Sequence, residues 1–306
     1  MKRTILPALL LLLVVPAAVP RVQAADGRPL VAVLGAFPME IAALHTEFGI
    51  DAPGSGFTHT TLGGVRFDRG DVDGHDVLVF QAGPSLVNAA FKLQLALDHF
   101  PVTQVLFGGI AGGIDPSRQV GDVVIPERWA YHSEAAYLNE DGHGDYVRPS
   151  YYAKADSEHF GMIFPQSVYG VREGDNPYAP IPFFPADPGM LEAARRAVPK
   201  LPAMMRSGHA VTTTVGGVGV SGTVLLDNAE YREWVFKVWQ ARCVDMESAA
   251  LAQVCFANGK PLLVVRGLSD LAGGQKGKEL TDMKALMEVL GVTAKVAHGV
   301  LDELPK

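Results

Sequence analysis

The chain has only two cysteines, Cys243 and Cys255, in 306 residues, so no disulfide framework organises it. If both lie on one helix, their separation puts them ~18 Å apart at about 1.5 Å per residue, out of reach of a disulfide. Positive charge is also scarce: 26 basic residues face 33 acidic ones, a net of −7, and no basic cluster is present. That balance argues against nucleic acid or an anionic membrane surface as a partner. Metal-binding patterns are nearly absent too. His132 and Glu134, as H-x-E, lack a further ligand cluster, so neither a metal nor a cofactor is expected. A chain of this length buries a large core without staples.

The one long apolar stretch is at the start, MKRTILPALLLLLVVPAAVPRVQA, with a basic beginning at Lys2 and Arg3 and small residues ending in Ala24. That order is a secretory signal, cleaved after Ala24 or Ala25. The stretch is shorter than the roughly 20 residues a spanning helix needs, and Pro7 and Pro16 interrupt it. Removing it takes three basic residues and no acid, so the mature chain is more acidic still. The expectation is a secreted or periplasmic protein without stable membrane anchoring: residues 1–24 a signal, residues 25–306 one domain.

Apolar runs bounded by Gly or Asp predict strands at Leu30–Leu34, Val77–Phe80, Val105–Phe107, Val123–Ile125, His209–Val215 and Leu262–Val265. Helical stretches alternate with them at Met39–Phe48, Val87–His99, Pro188–Ala197, Glu230–Gln240, Met246–Ala257 and Leu280–Leu304. Such alternation predicts a three-layer α/β/α sandwich around a mixed, largely parallel sheet. Residues 133–187, rich in Tyr, Phe, Pro and Gly without a sustained period, read as an ordered excursion that caps the domain or serves an oligomer contact.

In such sheets ligands bind beyond the carboxyl ends of the strands. There the sequence places Glu40 in GAFPMEIAAL, the paired glycines 108, 109, 112 and 113 in FGGIAGGID, and Ser269 and Asp270 in VVRGLSDLAGG. Taken alone, Glu40 reads as a first-turn helix acid and Asp270 as a turn residue. The glycines let backbone approach a ligand, but their spacing is neither a dinucleotide fingerprint nor a phosphate loop. VDMESAALA, residues 244–252, adds Asp245 and Glu247, two acids at a predicted helix start.

Taken together, VAVLGAFPMEIAAL, FGGIAGGIDPSRQVGDVVIPE, VDMESAALAQVC and VVRGLSDLAGG resemble, in order and character, the nucleoside phosphorylase and nucleosidase superfamily. Within it they are most similar to the 5′-methylthioadenosine/S-adenosylhomocysteine nucleosidases. DNAEYREWVFKVWQARCVDMESAALA also resembles the secreted plant bark and vegetative storage proteins. The resemblance implies a purine nucleoside phosphorylase-like fold, a small-molecule purine nucleoside as partner, and a homodimer or trimer. It implies that Glu40 activates water, that Met246 and Glu247 hold the ribose, and that Asp270 protonates the leaving base with Ser269 beside it. Gly109 falls in the glycine pair that approaches the ligand. Ala82 stands where the family has a serine, and Val224 or Leu225 where it has an aromatic against adenine, so another purine nucleoside enters as a substrate; Tyr131, just ahead of the aromatic excursion, and Phe184 within it are candidate substitutes. Phosphorylases of the superfamily carry arginines after the first strand and before the glycine pair. Here those places read Ala36 to Met39 and Phe107, so hydrolysis is expected ahead of phosphorolysis, with a non-catalytic nucleoside-binding or storage protein as the remaining reading. Asp245 keeps the reading of a helix-start acid.

The chemistry makes the same demand. Breaking an N-glycosidic bond develops positive charge on the sugar and negative charge on the base. One carboxyl that protonates the base, one carboxylate that holds the sugar and one that orients water would supply it.

Overall fold

The computed structural model describes residues 27–149, 158–172, 174–206, 208–275 and 282–306. The expected signal at residues 1–24 and, within the excursion, residues 150–157 and 173 lie outside the described residues. Among the described residues no helix is long and apolar enough to cross a membrane.

The first strand, β1 (Leu30–Gly35), is buried at every position, as a continuous apolar run requires when both sheet faces are covered. α1 (Pro38–Phe48) follows directly; proline at its first position fits a helix start, and Gly49 ends it in the left-handed region at φ 63°. The antiparallel strands β2 (Thr58–Leu62) and β3 (Val65–Val72) turn at Gly63-Gly64, both at positive φ. β4 (His75–Gln81), α2 (Leu86–His99) and β5 (Val102–Gly113) complete the first half. Then come β6 (Val123–Ile125) and β7 (Arg128–Tyr131). The excursion contains two small hairpins, β8 (Ala135–Tyr137) with β9 (Ile163–Pro165) and β10 (Val168–Tyr169) with β11 (Pro180–Ile181), before β12 (Phe184–Pro185) returns to pair with β7.

The rest of the chain runs through α3 (Pro188–Ala197), the hairpin β13 (Met205–Arg206) and β14 (His209–Ala210), β15 (Thr213–Val215) and β16 (Val218–Ser221), then α4 (Ala229–Trp239), β17 (Ala241–Asp245), α5 (Ser248–Ala257), β18 (Leu262–Asp270) and α6 (Met283–Asp302). The sheet order is β12-β7-β16-β17-β5-β1-β4-β3-β2, with β18 also on β5, β6 on β18 and β15 on β6. Parallel pairs join β4-β1-β5-β18, β7-β16-β17 and β15-β6, and antiparallel pairs link β17 to β5, β18 to β6, β12 to β7 and the hairpins β2-β3-β4. The mixed sheet and its helical layers are therefore as expected.

Pleating divides the core. Leu30, Ala32 and Leu34 pack with Leu93 of α2 and Leu251 of α5, while Val31 and Val33 pack with Leu44 of α1 and Val300 of α6. The six predicted helices form with small shifts of boundary. The main correction is at α5: the run read as Met246–Ala257 begins at Ser248 and is preceded by β17, which the sequence reading did not separate. Cys243 lies on β17 and Cys255 on α5, so the distance argument for a single helix does not apply; both are buried and unpaired. The predicted strand His209–Val215 divides into β14 and β15.

The elements that matter for the site end together. β1 stops at Gly35, β17 at Asp245 and β18 at Asp270. β5 runs on through its glycines, pairing with β18 and, at Gly112 and Gly113, antiparallel with β17.

Candidate active site

Arg266 is the centre of the site, and the sequence reading missed it. It lies on β18 with its side chain wholly buried, so its charge needs partners. Asp245 accepts from Nε at 2.8 Å and pairs with Nη2 at 2.6 Å; Glu247 Oε2 lies 3.3 Å from Nη2 and Glu40 Oε1 3.7 Å from Nη1. The guanidinium stacks over the Phe107 ring with its carbon 4.0 Å from the centroid. Burial opposes its charge, and the three carboxylates hold it ionised above its ordinary value. An arginine interrupting the apolar run LLVVRG was the available signal: a charge on a strand buried on both sides implies acids close by.

Glu40 sits in the first turn of α1 with its carboxylate turned back. Its oxygens accept from the backbone N–H groups of Ala36, Phe37 (2.8 Å) and, across 70 residues, Ile110 (2.8 Å). Burial raises its pKa above the usual carboxylate range, against the lowering pull of Arg266 and those donors. The neighbouring glycines have a specific cause. A Cβ on Gly35 would stand 2.8 Å from the Glu40 Cβ, and one on Gly109 would overlap both the Arg266 guanidinium and the Glu40 carboxylate.

Glu247 stands at the cap position of α5, 3% exposed. The Ser85 N–H donates to its Oε1 at 2.8 Å, and Ser85 holds φ 84°, ψ 151° to do so. That conformation is strained for a residue with a side chain, on the order of 1–3 kcal/mol. Burial first, then the negative charge of Asp245, push the Glu247 carboxyl up to about 7, with Arg266 and the Ser85 N–H pulling it down.

Asp270 ends β18; Ser269 Oγ donates to its Oδ2 and the Ala272 N–H to its Oδ1, both at 2.8 Å. A Cβ on Gly112 would lie 3.0 Å from that carboxylate. Asp270, Ser269, Glu247 and Met246 face one cavity of about 190 Å³, with Ile110 to Gly112 on its floor and Phe37, Val224, Leu225 and Leu226 on its walls. The space is mostly apolar with acids at two places, which suits a flat heterocycle joined to a polyol.

The other sequence candidates divide. Leu225 lines the cavity. Gly109 does not line it but makes room behind it for Glu40 and Arg266. Ala82 corrects the reading: it is buried in the core, its N–H donates to the Gly35 carbonyl, and it is not among the residues that line the cavity. Tyr131 and Phe184, candidate substitutes for the missing aromatic, also lie elsewhere. Tyr131 donates to Gln253 on a separate groove, edge-on to the buried Phe184. Phe37, overlooked in the sequence, is the aromatic on the cavity wall. His132 and Glu134 do not converge, since His132 is fully buried against Tyr231 while Glu134 borders the separate groove. Among the described residues, the acids and histidine grouped at ligand spacing are Asp73, His298 and Asp302, near the amino end of β4 and away from the site.

Comparison with known proteins bears on the family and the fold. The family described as the phosphorylase superfamily matches residues 30–305. A 5′-methylthioadenosine/S-adenosylhomocysteine nucleosidase of Geobacillus kaustophilus is 31% identical over 80% of this chain and 86% of its own length. One from Mycobacterium bovis is 28% identical over 90% and 97%. In structure, a Helicobacter pylori nucleosidase of the same name superposes with a TM-score of 0.69 at 22% identity, covering 91% of this chain and all of the other. Futalosine hydrolase of the same organism gives 0.68 at 22%, covering 90% and 98%.

Proposed function

This chain belongs to the phosphorylase superfamily, and from that premise we propose that it is a hydrolytic N-glycosidase of purine nucleosides of the 5′-methylthioadenosine/S-adenosylhomocysteine type. One observation carries the choice of water over phosphate. The guanidinium at the site is surrounded by Glu40, Asp245 and Glu247, and the amide donors of Ala36, Phe37 and Ile110 are taken by Glu40 itself. An incoming phosphate would meet carboxylates where it needs donors. Water meets a base.

In this reading the base lies between Phe37 and the Val224–Leu226 wall, with its N7 toward Asp270. A protonated Asp270 carboxyl donates to N7 as the bond breaks, worth about 10²- to 10⁴-fold; Ser269 and the Ala272 N–H fix its plane. Glu247 accepts from the ribose hydroxyls and its negative charge opposes the positive ring, while Met246 packs beside the sugar. Glu40, held rigid by three backbone donors, orients water at the sugar carbon and takes its proton. Phe37 supplies the one aromatic face the cavity offers among the described residues, so base recognition falls to it.

The test is release of free base from 5′-methylthioadenosine, S-adenosylhomocysteine, adenosine and inosine, with and without phosphate. Free base and free sugar in both conditions are expected. Ribose 1-phosphate formed only with phosphate would show a phosphorylase, and tight binding without turnover a binding or storage protein.

Two further readings go with this one. Export rests on the leader pattern of residues 1–24, and N-terminal sequencing of the mature protein should begin at Ala25 or Asp26. Self-association as a homodimer or trimer is supported by the outer face of α2, where Val87 and Phe91 stand exposed beside Tyr169 over a broad groove. Sedimentation at micromolar concentration tests it.

A further inference from the structure

The sequence reads Asp245 as a helix-start acid, and the structure adds to that: its Oδ1 accepts from the N–H groups of Glu247 and Ser248 at the start of α5, and its carboxylate also holds partners from other elements. It is the last residue of β17, and five hydrogen-bond donors converge on its carboxylate, with Arg266 Nη2 in close ion-pair contact beside them. Oδ1 accepts from Ser221 Oγ and from the N–H groups of Glu247 (3.2 Å) and Ser248 (3.1 Å); Oδ2 accepts from Ser248 Oγ and from Arg266 Nε, and forms an ion pair with Arg266 Nη2 at 2.6 Å. A carboxylate offers about four lone-pair sites. Although Asp245 borders the cavity, nothing on it is left to accept from a ligand.

Nε and Nη2 together present the side edge of the guanidinium to Asp245, one as a hydrogen-bond donor and the other as an ion pair. With Nε and Nη2 committed to Asp245, only the shared Nη2 reaches Glu247, at 3.3 Å, and Nη1 stands 3.7 Å from Glu40 with no hydrogen-bond partner among the described residues. One positive charge is thus divided among three acids from α1, β17 and α5.

We propose that Asp245 is the positioning residue of this site: it fixes Arg266 edge-on and so decides how much of its charge reaches the ribose-binding Glu247 and the water-binding Glu40. This rests on the nucleosidase reading for the roles of those two acids. The charged and polar groups facing Glu247 are Arg266 on β18, Asp245 on β17, Glu40 on α1 and the Ser85 N–H before α2. Of the titratable side chains near Asp245, His132 is buried and stays neutral, and the Cys243 thiol is held protonated by burial. The field at Glu247 is therefore set by the first three.

Two substitutions should act in opposite directions. Asp245→Asn removes the like charge and releases Arg266 toward Glu247, so Glu247 should titrate about one pH unit lower, and turnover should fall about tenfold as the guanidinium swings out of place. Ser248→Ala deletes one hydroxyl donor while keeping the charge. The Asp245 carboxylate is then less neutralised and draws Arg266 harder, so Glu247 should titrate higher.

The readout is the ¹³C carboxyl titration of Glu247 in glutamate-labelled protein, alongside the acid limb of kcat/KM for 5′-methylthioadenosine. Opposite shifts in the two variants support the proposal. A Glu247 titration unmoved in Ser248→Ala, or moved the same way in both, overturns it, even if Asp245→Asn does not fold. A wild-type protein that hydrolyses nothing refutes the nucleosidase reading, while the carboxyl titration still decides the role of Asp245.

Discussion

His132 makes the protein's response to acid calculable. Its ring is fully buried behind Gly222, with Nδ1 3.2 Å from the Tyr231 hydroxyl and no hydrogen-bond partner at Nε2 among the described residues. Burial holds its pKa down to about 4, slightly opposed by Asp245. The unfolded chain binds that proton near pH 6.5, so the contribution is intact above 6.5 and is lost as pH falls from 6.5 through 4. The 2.5-unit difference corresponds to about 3 kcal/mol in full, of which about 2 kcal/mol is gone by pH 5. The wild-type curve alone decides nothing, because Glu247, raised to about 7, runs the other way. Its buried charge costs stability above about pH 7, and protonation restores that stability as pH falls toward 4.5. The two terms nearly cancel between pH 6.5 and 5, and a difference between proteins separates them. His132→Asn keeps a polar group for Tyr231 and removes the titration. Its urea-unfolding deficit relative to wild type should be about 2 kcal/mol smaller at pH 5 than at pH 7.5. A deficit equal at both pH values would show that His132 is not held neutral by the fold.

The remaining expectations concern the site and one ion pair. Asp270→Asn and Glu40→Gln should each lower base release by about 10²- to 10⁴-fold with the circular dichroism spectrum unchanged; near-normal turnover in either removes its assigned role. Gly109→Ala should destabilise the protein by about 1–3 kcal/mol and abolish activity together, because its methyl group overlaps the Glu40 and Arg266 side chains; thermal melting reports the first and the nucleoside assay the second. His298 joins α6 to Glu47 and Asp73, at 3.0 and 2.9 Å. These partners raise its pKa against the opposing effect of burial, so its stabilisation is full at acid pH and is lost as pH rises through the raised value. His298→Gln should therefore cost more stability at pH 5.5 than at pH 9, as read by chemical unfolding.

Most of the helices were legible because each carries one face of apolar residues between clear ends: Pro38 and Gly49 bracket α1, and Asp187 caps α3. β17 was hidden because ARCVD runs straight into MESAALA, and five residues cannot show their period before a helical one takes over. β16 was hidden by Gly219, whose missing side chain makes room for the Trp129 ring; a Cβ there would stand 2.6 Å from it. Both strands place Asp245, so its role was unreadable while they were. The carboxylates Glu40, Glu247 and Asp270 were legible because strand ends mark where ligands sit. Arg266 and Phe37 were not, since each is defined by contacts across the fold: three acids from distant segments in one case, a cavity wall completed by the loop at Val224 in the other.

The reach of the hydrogen bond from Ser85 to Glu247 has a consequence for folding order. It joins residues 162 apart in the chain, and the Glu40 to Ile110 bond spans 70. Loops that long close late relative to local helices, so the site should be among the last features to consolidate. Recovery of activity on refolding should therefore lag the return of helical signal. A truncated or partly folded chain can look well structured by spectroscopy and still hold no assembled set of carboxylates.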